Sequence, residues 1–252
     1  QGFLRAVSLA LRVKEDGLLL GGPPCGPWVF VNAGTHKRRL TNIWGDLGSR
    51  YVQSSNTLTA RWALILLVGA VRCIASFTEQ PGGSLMRHYP YIFHLRRMIR
   101  EVLGGTWDST FFYMGSFGHK ALKPSRGLGS ALWAKSLRKP ISKAKREKLR
   151  KSGAGMVKKY QNAKGEWKLV GTPFLKQSAA YTPKFARTVC KLHLKYMETH
   201  KGHLRREMYG KPVEDLHKAK QPYKWKHANL QEIRKFLLSE VEAGRYCPVL
   251  DL

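Results

Sequence analysis

Acidic residues are scarce in this chain. Its 252 residues include 16 Asp and Glu against 45 Lys and Arg, which gives a formal net charge of +29. A surface with so little negative charge is unsuited to cationic partners. The excess of positive charge favours a polyanion, and nucleic acid is the polyanion that strongly basic proteins typically bind.

Cysteine and long apolar runs are also in short supply. The chain has four widely separated cysteines, Cys25, Cys73, Cys190 and Cys247. They form no disulfide framework, which favours a reducing compartment. The best membrane candidate, 62–71, is bounded by Arg61 and Arg72 and is shorter than the ~20 residues that a span requires. The start shows no signal-peptide pattern, so we expect no membrane partner.

A short apolar run, Leu18–Leu20, leads into the turn Gly21-Gly22-Pro23-Pro24-Cys25. Such a run between glycines is typical of a buried parallel strand, and the two prolines stop the strand from continuing. Because open α/β sheets bind ligands at the carboxyl ends of their strands, we predict that Cys25 lies at a binding site. The alternative is an ordinary Gly-Pro turn with a small buried cysteine.

A second polar segment, Glu79-Gln80-Pro81, follows the β-rich stretch Cys73–Thr78. The stretch between the two strands, 54–71, has the apolar content of a core helix. Strand, helix and strand predict a parallel crossover unit. We therefore expect Cys25 and Glu79 to lie at the ends of neighbouring strands, with a thiol and a carboxylate facing one crevice.

The Pro-Pro-Cys turn and the Glu-Gln-Pro segment together resemble the cytosine-C5 DNA methyltransferases. In that family the cysteine attacks C6 of cytosine and a glutamate contacts N3 and the amino group. The resemblance implies that Cys25 and Glu79 are the catalytic pair, on a Rossmann-like, methyltransferase-type α/β sheet that uses S-adenosylmethionine. It also implies five supporting residues around them: Gly22, Pro23, Pro24, Gln80 and Pro81.

The resemblance covers residues 17–133 and has clear departures. Gln80 replaces the usual Asn, and the sequence contains neither a Phe-x-Gly-x-Gly cofactor loop nor a Gln-x-Arg-x-Arg segment. Since the cofactor loop normally precedes the Pro-Pro-Cys strand, we expect a sheet that is incomplete at its N-terminal side. The chain is then a fragment, which binds S-adenosylmethionine only when the missing half is supplied, or a degenerate relative. A looser match makes Lys123 and Arg126 candidates for contacting phosphate or supporting the base.

The positive charge is concentrated in the second half of the chain. Residues 135–252 hold 29 basic and 10 acidic residues, against 16 and 6 in residues 1–134. We predict a methyltransferase-like domain over 1–134 and a basic extension over 135–252 that contacts nucleic acid, DNA ahead of RNA. A basic run of this kind also serves as a nuclear address. The candidate contacts are Lys139, Lys143, Lys145, Arg146, Lys148, Arg150 and Lys151.

The remaining pattern predicts further elements. We expect a helix over 89–103, strands over 111–114 and 130–133, and a loop carrying Lys123 and Arg126 between those strands. A hairpin is predicted at 158–170 around the turn 162–165, and helices are predicted from Thr182 and from Asn229. Aromatic residues alternate with lysines in the hairpin, which suits either stacking on unpaired bases or ordinary packing.

Two hypotheses remain open from the sequence. The first is a divergent or truncated cytosine-C5 methyltransferase, and the alternative is a non-catalytic, basic nucleic-acid-binding protein with a degenerate methyltransferase fold. A zinc site formed by Cys190, His193, His200 and His203 is disfavoured, because the first pair has only one cysteine and falls in a predicted helix. We expect no metal.

Overall fold

The structure is a computed structural model, and it describes residues 2–153 and 156–199. Its centre is a four-stranded mixed sheet with the order β1-β2-β4-β3. The strands are β1 (Leu18–Gly21), β2 (Ala75–Pro81), β3 (Asp108–Tyr113) and β4 (Pro124–Gly129). A separate antiparallel pair consists of β5 (Val157–Gln161) and β6 (Trp167–Gly171). The predicted α/β class is thereby confirmed as a mixed α/β fold.

Seven α-helices accompany these strands in the described part of the chain. They are α1 (Gly2–Arg12), α2 (Ala33–His36), α3 (Arg50–Val71), α4 (Pro90–Arg97), α5 (Lys143–Gly153), α6 (Pro173–Gln177) and α7 (Pro183–Thr199). Helix α4 continues into a wider π-helical turn, Met98–Val102, so the predicted helix over 89–103 is present. The predicted helix from Thr182 corresponds to α7, whereas the one from Asn229 lies outside the described residues.

The crossover unit predicted from the sequence is present. Strand β1 pairs in parallel with β2, with Leu20 opposite Phe77 and Gly21 opposite Thr78, and α3 connects the two strands. Helix α3 comes close to β1 at Gly69, where a side chain would overlap Leu19. This unit puts the turn that carries Cys25 beside the carboxyl end of β2.

The strand predicted over 130–133 was wrong. The chain forms β4 before this point, and residues 132–137 form a 3₁₀ helix. Gly129 has a φ of 151°, and a side chain there would meet the carbonyl of Ser76, so glycine suits the last position of β4. Sequence periodicity underestimated β4 because it holds Pro124, Gly127 and Gly129, which are poor strand formers.

Two apolar clusters cover the two faces of the sheet. On one side α3 and α4 pack together, with Trp28, Leu66, Tyr89, Ile92 and Ile99 buried. On the other side Phe77 and Phe112 of the sheet contact Phe185 and Val189 of α7, and the Phe112 and Phe185 rings stack with centroids 5.7 Å apart. Helix α7 therefore covers the sheet face to which Glu79 also points.

No helix in residues 2–153 and 156–199 combines the length and apolarity needed to cross a membrane. The division into domains at residue 134 stays a prediction.

Candidate functional site

Cys25 lies in the turn after β1, as the sequence predicts. Its carbonyl accepts a hydrogen bond from Trp28 N at 2.9 Å, which begins a 3₁₀ turn over Gly26–Trp28. The turn is tied to β2 by Gln80, whose Nε2 donates to the carbonyl of Pro23 at 2.7 Å. Ser84 Oγ in turn donates to Gln80 Oε1 at 3.1 Å. Gln80 therefore holds the thiol-bearing turn against the neighbouring strand.

Glu79 lies within β2 and is almost completely buried, with 5% of its surface exposed. The sequence placed it after the strand, but β2 extends through Pro81, and Glu79 pairs with Gly127 of β4. Its Oε2 accepts a hydrogen bond from Tyr181 Oη at 3.1 Å. Its Oε1 is buried and has no partner among the described residues, which is an unusual state for a buried carboxylate oxygen.

Tyr181 is a site residue that sequence reasoning missed. It precedes α7 and reaches Glu79 across 102 positions of sequence. Its hydroxyl lies so close to Gly22 that a side chain at that position would overlap it. Lys123 holds the same segment, because its Nζ donates to the carbonyl of Ser178 at 2.6 Å and lies 5.9 Å from the Tyr181 ring centroid. No local motif signals such a distant contact.

The electrostatics of the crevice disfavour the ionised forms of Cys25 and Tyr181. Burial, followed by the charge of Glu79, raises the pKa of the Cys25 thiol, and Lys123 lowers it in part. Burial and the neighbouring Glu79 also raise the pKa of Tyr181. The phenol therefore stays protonated and donates to the carboxylate. Lys123 is the positive charge that partly offsets this increase in the pKa of Cys25.

A buried arginine, also missed from the sequence, organises the loop that follows Cys25. Arg38 is 2% exposed, and its guanidinium lies 3.7 Å from the Trp28 ring centroid. It donates to Pro27 O at 2.8 Å, to Ile43 O at 2.6 Å and to Asn56 Oδ1 at 2.8 Å. Burial lowers its pKa to about 10. These bonds connect the loop to α3, so the turn bearing Cys25 is held from both ends.

Of the two phosphate candidates, Lys123 lies in the crevice and Arg126 lies in β4 rather than in a loop. Arg126 Nη1 donates to Ser109 Oγ at 2.7 Å. Burial, together with the charges of Arg87 and Arg138, lowers its pKa. Arg126 pairs with Gln80 across the sheet, so it lies on the opposite face from Glu79. It is therefore not brought to the carboxylate.

The other basic candidates form an exposed surface. Lys139 is exposed, and its Nζ lies 5.3 Å from the Phe117 ring centroid. The remaining six are exposed on α5: Lys143, Lys145, Arg146, Lys148, Arg150 and Lys151. Lys151 forms an ion pair with Glu147 at 3.5 Å. Since only one carboxylate offsets this helix, it is a strongly positive surface.

Both ring nitrogens of His193, one of the four zinc candidates, face protein groups. His193 Nδ1 accepts from Trp133 Nε1 at 3.2 Å, and its Nε2 faces the carbonyl of Asp16 at 3.0 Å. Both ring nitrogens are thus occupied. Cys190 is exposed, and His200 and His203 lie outside the described residues. Within the described ranges, no cluster of three metal-ligating side chains occurs.

The arrangement combines a thiol, a carboxylate with one open oxygen, and a lysine at the carboxyl end of a parallel strand pair. No family model matches the chain, no curated protein matches it, and no solved structure matches it. The contacts of these side chains are therefore the basis for assigning a function.

Proposed function

We propose that this protein is a divergent cytosine-C5 methyltransferase-like protein with a Rossmann-like sheet, in which Cys25 adds to C6 of cytosine and Glu79 binds the base. One observation carries the proposal: the parallel pair of β1 and β2 places the Cys25 turn beside Glu79, with Gln80 bonded to Pro23. The basic surface of α5 supports nucleic acid as the partner, and we extend the proposal to DNA in the nucleus.

The open oxygen of Glu79 suits recognition of cytosine. Oε1 has no hydrogen-bond partner among the residues that the structure describes, and a carboxylate oxygen in this state accepts a hydrogen bond from an amino group such as that of cytosine. Because Tyr181 lies against the carboxylate, the base must displace the phenol as it enters. The base must also leave the helical stack, since C6 is inaccessible within a duplex.

The thiol step balances without any other reactant. The Cys25 thiolate forms the S–C6 bond, and the π electrons of the C5–C6 double bond shift toward C5 and N3. C5 then takes a proton from solvent. Loss of the original C5 proton and departure of the thiolate restore the double bond, so addition alone exchanges the hydrogen at C5.

The chain lacks the motif through which the resembled family holds S-adenosylmethionine. The sequence contains no Phe-x-Gly-x-Gly loop. We therefore derive no methyl-transfer step from this chain.

Hydrogen exchange at C5 tests the proposal directly. The protein is incubated in D₂O with cytosine-containing single-stranded DNA, and the nucleosides are analysed by mass spectrometry. We expect deuterium at C5 with the wild-type protein and none with Cys25→Ser. Cys190→Ser is the matched control, because Cys190 is exposed and distant in sequence, and it should exchange normally. Exchange that persists in Cys25→Ser would overturn the assignment of the nucleophile.

One observation favours the second candidate, a nucleic-acid-binding protein without chemistry. Burial and Glu79 raise the pKa of the Cys25 thiol, which lowers the fraction of nucleophilic thiolate at neutral pH. In this case the wild-type protein binds the oligonucleotide, Cys25→Ser binds it equally well, and neither exchanges hydrogen at C5. The same assay therefore separates the two functions.

A further inference from the structure

The ribbon formed by β5 and β6 exposes nearly all of its side chains. Residues 158–161 and 163–171 are exposed, and Trp167 has 61% of its surface in solvent. Asn162 shapes the turn, with its Oδ1 accepting from Lys164 N at 3.0 Å and Glu166 N at 2.9 Å. The aromatic residues that alternate with lysines here are not packed into a core. Because these apolar side chains lie in solvent, they are available to a partner.

The two faces of the ribbon differ in where their lysines lie relative to the aromatic rings. The pairing register puts Lys159 opposite Leu169 and Gln161 opposite Trp167, so these four residues share one face. On this face Lys159 Nζ lies 4.4 Å from the Trp167 ring centroid. None of the carboxylates in the described residues forms an ion pair with Lys159.

The opposite face pairs Tyr160 with Lys168 and Lys158 with Val170. Lys168 is neutralised by Glu166, with the two side chains 2.8 Å apart. Each face therefore keeps one lysine without a carboxylate partner among the described residues, Lys159 on the Trp167 face and Lys158 on the Tyr160 face. Lys159 is the one that lies close to the exposed ring of Trp167.

The ribbon packs against the segment that follows Cys25. Strand β6 packs against residues 30–32, and Phe30 is 78% exposed. Phe30 also lines a surface groove of about 830 Å³ with Lys37 and Arg39. Helix α5, the basic surface described above, ends shortly before β5 begins. Arg39 of this groove and the basic side chains of α5 are further cations for a polyanion bound at the ribbon, whereas Lys37 is paired with Asp46.

We propose that the Trp167 face of the β5–β6 ribbon is a docking surface for single-stranded nucleic acid, with a base stacked on Trp167 and Lys159 contacting the adjacent phosphate. This inference rests on the proposed function to the extent that nucleic acid is the partner, and it names the strand form and the residues that hold it. Stacking requires a base whose face is free, and a duplex offers such faces only at its ends.

Fluorescence anisotropy with a labelled single-stranded oligodeoxynucleotide tests the surface. Trp167→Ala should weaken binding by about tenfold, because stacking of a base on an aromatic side chain contributes about 1–3 kcal/mol. Tyr160→Ala is the matched control: it removes an exposed aromatic residue from the same ribbon but from the opposite face, and binding should change little. Lys159→Gln should lower the slope of log K against log salt by about 0.7.

Three outcomes would overturn the inference. Equal weakening by Trp167→Ala and Tyr160→Ala would mean that the ribbon is needed only as a whole, and tighter binding of a duplex of the same length would exclude stacking. Light scattering that shows a dimer of the wild type, broken by Trp167→Ala, would assign the face to a second copy of this chain. Circular dichroism of each variant checks the fold. The two proposals fail in different ways. Normal binding by Trp167→Ala, with C5 exchange still present in the wild type, would contradict this inference alone. Absence of C5 exchange in the wild type, with binding still weakened by Trp167→Ala, would contradict the proposed methyltransferase-like function alone.

Discussion

The region around Cys25 and the β5–β6 ribbon each place a basic side chain against a tryptophan ring, but the first pair is buried and the second is exposed. In the crevice region Arg38 is buried and its donors bond to carbonyl and amide oxygens of the protein. In the ribbon Lys159 and Trp167 face solvent. A buried cation with protein partners stabilises the fold, whereas an exposed cation contributes little to it. The comparison separates charge used for folding from charge available for binding.

Replacing Arg38 should have the largest effect on stability. Arg38→Met leaves Pro27 O, Ile43 O and Asn56 Oδ1 without a donor, and we expect unfolding to become easier by about 2–4 kcal/mol. Urea denaturation measures the change. Arg39→Met is the control, since Arg39 is the exposed neighbour. This substitution should change the free energy of unfolding by no more than about 0.5 kcal/mol. Equal effects of the two variants would contradict the distinction drawn above.

Gly22→Ala should have the next largest effect, about 1–2 kcal/mol, because the added methyl group overlaps Tyr181 Oη. In a Tyr181→Phe background the hydroxyl is gone, so the same substitution should cost less. Gly34→Ala is a suitable control, since nothing lies within 4 Å of its added methyl group. Additive effects of Gly22→Ala and Tyr181→Phe would mean that the two residues do not touch in solution.

Acid should destabilise the sheet and its helices through buried histidines. Burial lowers the pKa of His36 and of His193, and the Nδ1 of each ring accepts an N–H donor, from Arg38 N and Trp133 Nε1 respectively. The unfolded chain therefore binds protons more readily, and stability should fall as the pH drops below about 6.5. Urea midpoints between neutral and mildly acidic pH measure this. Residues 143–171 contain no histidine. Mildly acidic pH should therefore cause no comparable loss of stability in α5 and the ribbon.

The reactivity of the thiol should report the charges in the crevice. Since burial and Glu79 raise the pKa of Cys25 while Lys123 lowers it, Glu79→Gln should speed alkylation at neutral pH and Lys123→Met should slow it. Peptide mass spectrometry after iodoacetamide treatment gives the rate, with the exposed Cys190 as an internal reference. Equal rates in both variants would show that neither charge acts on the thiol.

The smallest effect is expected in the ribbon. Trp167→Ala should change the free energy of unfolding by no more than about 0.5 kcal/mol, because the side chain is largely in solvent. A thermal or urea unfolding curve of the free protein is sufficient. A loss as large as that of Gly22→Ala would mean that Trp167 supports the fold, and the face would then not be available to a partner.

The sequence by itself was enough for the local elements that carry strong patterns. Leu18–Leu20 and 54–71 predicted β1 and α3, the parallel unit followed from their order, and 158–170 predicted the ribbon. These predictions succeeded because periodicity and turn residues act over a few positions. The strand predicted at 130–133 lies instead at Pro124–Gly129, because Pro124 and the glycines of β4 have low strand propensity.

Only the tertiary structure decided which side chains meet Cys25 and Glu79. Tyr181 reaches Glu79 from 102 positions away, and Arg38 reaches Asn56 across 18; neither contact leaves a local signal. The sequence determined the excess of positive charge, and it predicted a thiol in the turn after one strand and a carboxylate near the end of the neighbouring strand. Packing decided which charges are buried, because burial depends on what the folded chain places around each group.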